Sequence, residues 1–170
     1  MSERDSRLQV REAHAADFDS VWPIFHEVVA AGDTYSYDPD TTREEAFAHW
    51  MEKPRQTFVV EDGGQILGTY YIKTNHDGGG RHVCNCGFMV SAAARGRGLA
   101  KLMCEHAQAV AIELDYQAMQ FNFVVASNTG AVRLWQKLSF EIVGTLPKAF
   151  NHPEIGYVDA YVMYKWLSER

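Results

Sequence analysis

The chain has 170 residues, 46% of them hydrophobic and 22% charged, with a formal net charge of −6; that length and balance suit one globular domain spanning 1–170 with a buried core. An acidic chain is a poor partner for nucleic acid or an anionic membrane, both of which select a basic surface. No apolar run reaches the roughly 20 residues needed to cross a bilayer, and the charged start lacks the apolar segment of a signal peptide, so a cytoplasmic protein is expected.

Leu8 to Arg11 reads as a first strand. Phe18, Val21, Trp22, Phe25, Val28 and Val29 then recur at helical spacing up to Gly32, which predicts an amphipathic helix. The turn-rich stretch from Gly32 to Pro39 carries Tyr35 and Tyr37. A second helix opens at Thr41 or Thr42, with Glu44 and Glu45 in its first turn, and stops before Pro54. Thr57 to Glu61 and Gln65 to Thr74 form a hairpin turning at Asp62-Gly63-Gly64.

His82 to Val90 is the next strand. Its Cys84 and Cys86 stand two apart in an apolar run, and three cysteines in all cannot pair off, so buried thiols are expected and no metal site. A glycine-rich turn follows, and Leu99, Leu102, Met103, Val110 and Leu114 mark the buried stripe of a long helix. Met119 to Ala126 is apolar without alternation, as in a central strand covered on both faces. Ala131, Leu134, Trp135 and Leu138 carry another helix. Glu141 to Leu146 and Tyr157 to Trp166 are the last strands, separated by a loop around Pro147 and Pro153. Elements of both kinds alternate, so the fold class is mixed α and β. The strand-helix-strand unit from His82 to Ala126 implies a parallel pair with a right-handed crossover.

The turn Arg95-Gly96-Arg97-Gly98-Leu99-Ala100 joins that strand to its helix. The first amides of a helix have no partner within it and carry partial positive charge, so they suit phosphate. Gly96 and Gly98 keep side chains off the backbone, Ala100 is small, and Arg95, Arg97 and Lys101 add charge. The sequence lacks the Gly-Lys-Ser/Thr of a nucleotide P-loop and the three glycines of a dinucleotide fold.

In register, Arg95, Gly98 and Ala100 fill the Arg/Gln-x-x-Gly-x-Gly/Ala pattern, and the chain thereby resembles the GNAT superfamily of acetyltransferases. Asn128, Ala131, Leu134, Trp135, Lys137, Leu138 and Phe140 resemble a second segment of that family. The resemblance implies a mostly antiparallel sheet of about seven strands, with helices on both faces and a central parallel pair splayed around acetyl-CoA. It implies that backbone groups of Phe88, Met89 and Val90 pair with the cofactor's pantetheine arm. Amides from Gly96 to Lys101, Leu99 and Ala100 included, would hold the pyrophosphate, with Asn128 further along the arm. It also raises a homodimer.

Two family features differ. Trp135 stands where many members carry a tyrosine acid, and the strand before the turn has no glutamate. Asn85 stands in that strand instead, and Asn122 in the neighbouring one, as amides expected to be buried and therefore hydrogen-bonded. Asparagine is no base near neutral pH, but it can orient an amine or donate to an oxyanion or carboxylate. The runs Cys84-Asn85-Cys86-Gly87-Phe88 and Phe121-Asn122-Phe123-Val124 resemble the branch containing a yeast proline-analogue N-acetyltransferase, which implies catalytic and substrate-binding roles for Asn85 and Asn122. A small amino-acid-like amine is the substrate implied, with Tyr35 and Tyr37 covering its site and Phe150, Asn151 and His152 as a loop wall. His82 and His152 are candidate bases. Two other readings are open: a protein N-terminal or lysine acetyltransferase, and a silent acyl-CoA sensor.

Overall fold

In the computed structural model, which describes residues 7–167, β1 (Leu8–Glu12) leads into α1 (Phe18–Ala31). Gly32 stops α1 with left-handed φ of 67°, its N–H bonding Val29 O at 3.1 Å. The next helix, α2 (Arg43–Phe47), opens on a capping box: Thr42 accepts from Glu45 N, and the Glu45 carboxylate accepts from Thr42 N. It widens into a π turn over Ala48–Glu52. The hairpin β2 (Gln56–Asp62) and β3 (Gln65–Thr74) precedes β4 (Val83–Val90), α3 (Leu99–Glu113), β5 (Ala118–Val125) and α4 (Thr129–Lys137). The chain closes with β6 (Glu141–His152) and β7 (Gly156–Trp166).

The strands form one seven-stranded sheet in the order β1-β2-β3-β4-β5-β7-β6. Every neighbouring pair is antiparallel except β4 and β5, where the helical crossover through α3 makes them parallel. Strand alternation splits the core in two. Val59, Tyr71 and Met89 face one side and pack on Phe18, Val21, Phe25 and Trp50 of α1 and the α2 region. Phe58, Val60, Tyr70 and Ile72 face the other and pack with Leu99, Met103 and Ala107 of α3 and Trp135 of α4. Burying side chains on both faces is what lets β3, β4 and β5 run as apolar segments.

One boundary differs from the sequence reading. Pro147 lies inside β6, not in a loop, and Phe150 to His152 continue the strand. The register against β7 slips between Leu146 and Phe150, Lys148 takes φ of 52°, and its N–H donates to Asp159 Oδ1 at 2.9 Å. A sheet edge tolerates proline and a bulge, because the missing N–H faces no further strand.

Candidate active site

The parallel pair is short. β4 and β5 share only the register positions Val83–Ala118 and Cys84–Met119 before they part. At the fork, Asn85 Nδ2 donates to Gln120 O at 2.9 Å and Asn85 Oδ1 accepts from the Tyr71 hydroxyl at 3.3 Å. Asn85 is thus buried and satisfied, as a core amide must be. Asn122 is not buried, contrary to expectation. β5 loses register with β7 between Phe121 and Val124, and the slip leaves Asn122 exposed at the parted strands. It sits in a one-way chain of amides: Gln120 Nε2 donates to Asn122 Oδ1 at 2.9 Å, and Asn122 Nδ2 to Asn75 Oδ1 at 2.7 Å.

Beyond the fork opens a cleft of about 700 Å³, lined by both parted strands, the loop after α1 and the start of α4. Its floor is aromatic: the Trp135 ring lies 5.2 Å from Phe88 and 5.0 Å from Phe121 between centroids. Trp135 is therefore packing, and its indole supplies no acid. On the other wall Gly87 is required by close approach, because a Cβ there would meet the Tyr71 ring at 2.6 Å. The missing side chain lets Tyr71 lie across β4 and reach Asn85.

Tyr35 and Tyr37 both line the cleft. The Tyr35 hydroxyl donates to Phe88 O at 2.5 Å and accepts from Phe88 N at 2.8 Å. Both backbone groups expected to face the cofactor arm are thus already partnered, so an arm along β4 meets the neighbouring groups first or displaces this hydroxyl. The Tyr37 hydroxyl bonds that of Tyr71. Burial raises all three phenols above the ordinary tyrosine pKa, so they act as neutral donors and acceptors, not as bases.

At the far end of the cleft the glycine turn is open. Gly96 has φ of 79° and Gly98 of 74°, and a Cβ on either would meet nothing within 4 Å. Leu102 N makes the first bond of α3, to Gly98 O at 3.1 Å, and no side chain caps the helix. The N–H groups of Leu99, Ala100 and Lys101 are therefore without helical partners. Arg95 lines the cleft. Arg97 pairs with Asp62 of the β2–β3 turn at 3.0 Å and Lys101 with Glu105 at 3.8 Å. Asn128 caps α4, its Oδ1 accepting from Ala131 N at 3.4 Å, and also lines the cleft.

The two candidate histidine bases lie elsewhere. His152 Nδ1 accepts from Glu154 N and Ile155 N at the β6–β7 turn, and the His82 ring packs 6.1 Å from Trp166. Neither lines the cleft. His106 is held by the Tyr70 hydroxyl at 2.7 Å. Two residues that the sequence reading passed over do line it: Lys73, half-buried on β3, and Asp33, exposed in the loop after α1. Lys73 was legible as the one cation in an otherwise uncharged strand, two residues from Tyr71 and so on its face.

Comparison with known proteins accounts for this arrangement. The acetyltransferase (GNAT) family profile matches residues 18–140, and the chain belongs to that family. It is 36% identical over 151 residues to the N-acetyltransferase aca1 of Schizosaccharomyces pombe, covering 79% of this chain and 72% of that protein. Among solved structures, a GCN5-related N-acetyltransferase from Kribbella flavida superposes with a TM-score of 0.91 at 44% identity, over 95% of this chain and 99% of the other. A phosphinothricin acetyltransferase from Sinorhizobium meliloti, solved with acetyl-CoA, shares the fold with a TM-score of 0.84 at 21% identity, over 96% and 90% of the two chains. The protein is an acetyl-CoA-dependent N-acetyltransferase.

Proposed function

We propose that the enzyme acetylates the amine of a small amino-acid-like substrate, admitted to the parted strands from the side of Tyr35 and Tyr37. The observation that supports this reading is the set of phenols and amides, Tyr35, Tyr37, Tyr71, Asn85 and Asn122, that line the cleft. Bound acetyl-CoA supplies a thioester whose acetyl group passes to the amine as the thiol departs.

The open glycine turn fits a diphosphate: Gly96 and Gly98 hold a left-handed backbone with open space before it and no side chain to occupy that space. In this reading the amides of Leu99, Ala100 and Lys101 grip the pyrophosphate with Arg95 and Arg97 beside them, and Asn128 and the β4 backbone at Phe88, Met89 and Val90 orient the arm. Asn122 and the second N–H of Asn85 orient the amine and stabilise developing negative charge on the carbonyl oxygen. The phenols of Tyr35 and Tyr37 exclude water and stay protonated. No histidine or glutamate lines the cleft among the described residues; in this reading the neutral form of the amine reacts and its proton leaves to solvent.

The test is free-thiol release from acetyl-CoA across amino acids, polyamines and peptides. Turnover of small α-amino or imino acids is expected. A preference for peptide N-termini or lysine side chains would replace this reading with a protein acetyltransferase, and tight acetyl-CoA binding without turnover would replace it with a sensor.

A further inference from the structure

Three charged side chains line the cleft, the cations Lys73 and Arg95 and the carboxylate Asp33. The chain carries 22 acidic residues against 16 basic ones, so potential partners are plentiful. Even so, among the described residues Lys73 joins no ion pair, and its recorded contact is the Tyr71 ring, 5.2 Å from Nζ. Burial lowers the Lys73 pKa, and the charge of Lys53 lowers it further. Lys53 Nζ in turn lies 3.5 Å from His49 Nδ1, and both lysines depress the His49 pKa after burial has done so. Glu45 partly offsets the two lysines at His49, but Lys73 and Lys53 repel each other, a cost that an anion arriving at Lys73 would relieve.

The position is also fixed relative to the reaction. Lys73 stands directly opposite Asn85 across the β3–β4 pair, a cross-strand separation of about 5 Å at Cβ. It therefore shares a face with Tyr71 and with the side chain that bridges the fork. The carboxylate lining the cleft, Asp33, follows α1, whose Glu27 contacts Ala92 beyond β4.

We infer that Lys73 binds a carboxylate on the acceptor, making the substrates amines with an adjacent acid group, and that Lys53 lends the approach its positive potential. This inference rests on the acetyl-transfer reading and adds the recognised group. A carboxylate held at Lys73 keeps an α-amine within a few ångströms of Asn85, whereas a polyamine would be repelled.

The test compares L-alanine and L-proline with their carboxamides in thiol release, for wild type, Lys73→Met and Lys73→Arg. The wild type is expected to favour the acids at least tenfold in kcat/KM. Lys73→Met should lose about 10–100-fold on the acids, mainly through KM, the scale of one charge-assisted hydrogen bond, and change less than about threefold on the amides. Lys73→Arg should recover most of the loss. Calorimetric titration of L-alanine and L-proline into the CoA-loaded protein reads the same contact without turnover. Binding abolished by Lys73→Met supports the inference even if no acetyl transfer is found. Amides or polyamines used as well as the acids, or Lys73→Met lowering kcat equally for acid and amide, overturn it while acetyl transfer stands.

Discussion

Replacing Gly98 with alanine separates two effects that the glycine turn combines. The first is conformational: Gly98 sits at φ of 74°, where an L side chain costs about 1–2 kcal/mol. No steric penalty adds to this, since a Cβ would meet nothing within 4 Å. For a chain of this size the loss corresponds to roughly 2–8 °C in Tm, and the protein stays folded. The second effect is on the ligand. If a diphosphate fills the open space at the turn, the added carbon crowds it away from one or more of the Leu99, Ala100 and Lys101 amides. Losing one charge-assisted hydrogen bond, about 1.5–3 kcal/mol, raises the acetyl-CoA Kd about 10–100-fold. Gly156→Ala is the matched control. Its φ is 79° and its Cβ also points into open space, but it is the first residue of β7, beside the β6–β7 turn and outside the cleft. Calorimetry on both variants should show similar falls in Tm and a weakened Kd for Gly98→Ala alone. Unchanged affinity in Gly98→Ala would refute the assignment of the turn to the pyrophosphate. Gly98→Val should act in the same direction and more strongly.

Other expectations follow from the same geometry. Asn85→Ala removes the partner of Gln120 O and of the Tyr71 hydroxyl, so it should lower stability by about 1–3 kcal/mol as well as turnover, whereas Asn122→Ala should lower turnover with Tm nearly unchanged; thermal melts beside thiol-release rates test this, and full activity in both variants would remove asparagine from the mechanism. Tyr35→Phe strips both backbone groups of Phe88 of their partner and should lower the Tm of the free protein. If the cofactor arm takes those groups, saturating acetyl-CoA narrows the difference, and an equal deficit with and without acetyl-CoA would show that it does not. The three cysteines are buried and free; burial pushes the Cys104 thiol up to about 12 and raises Cys86 well above its ordinary value. A thiol reagent at pH 8 should therefore leave them unmodified for as long as the fold persists, and rapid labelling of the native protein would contradict that burial.

Much of the fold could be read from local signals. Gly32, the Thr42–Glu45 pair and Asp62-Gly63-Gly64 mark their boundaries because caps and turns depend on neighbours in sequence. The long β6 could not be read this way: Pro147 marks a break locally, and only its place at the sheet edge, with Asp159 across the bulge to bind Lys148 N, lets the strand continue. The cleft divides similarly. Its glycine turn is written in contiguous residues. The contrast between Asn85 and Asn122 is not, because it depends on where two strands part and where β5 slips against β7. The capture of Phe88 by Tyr35 joins residues 53 apart, beyond any periodicity. The aromatic floor was hidden for the same reason, since Phe88, Phe121 and Trp135 come from separate elements.

The brevity of the β4–β5 contact makes the sheet two leaves sharing a hinge. On one face they are braced by the ring column of Phe88, Trp135, Phe121 and Phe140, the last two 4.4 Å apart. Toward α1 the seam is spanned by side-chain amides, Asn85 to Gln120 O and Asn122 to Asn75. A ligand lodged in such a seam acts as a splint. Part of its intrinsic binding free energy goes into stilling the leaves, so its measured affinity understates the strength of its contacts, and an acceptor arriving afterwards meets a wall already made rigid.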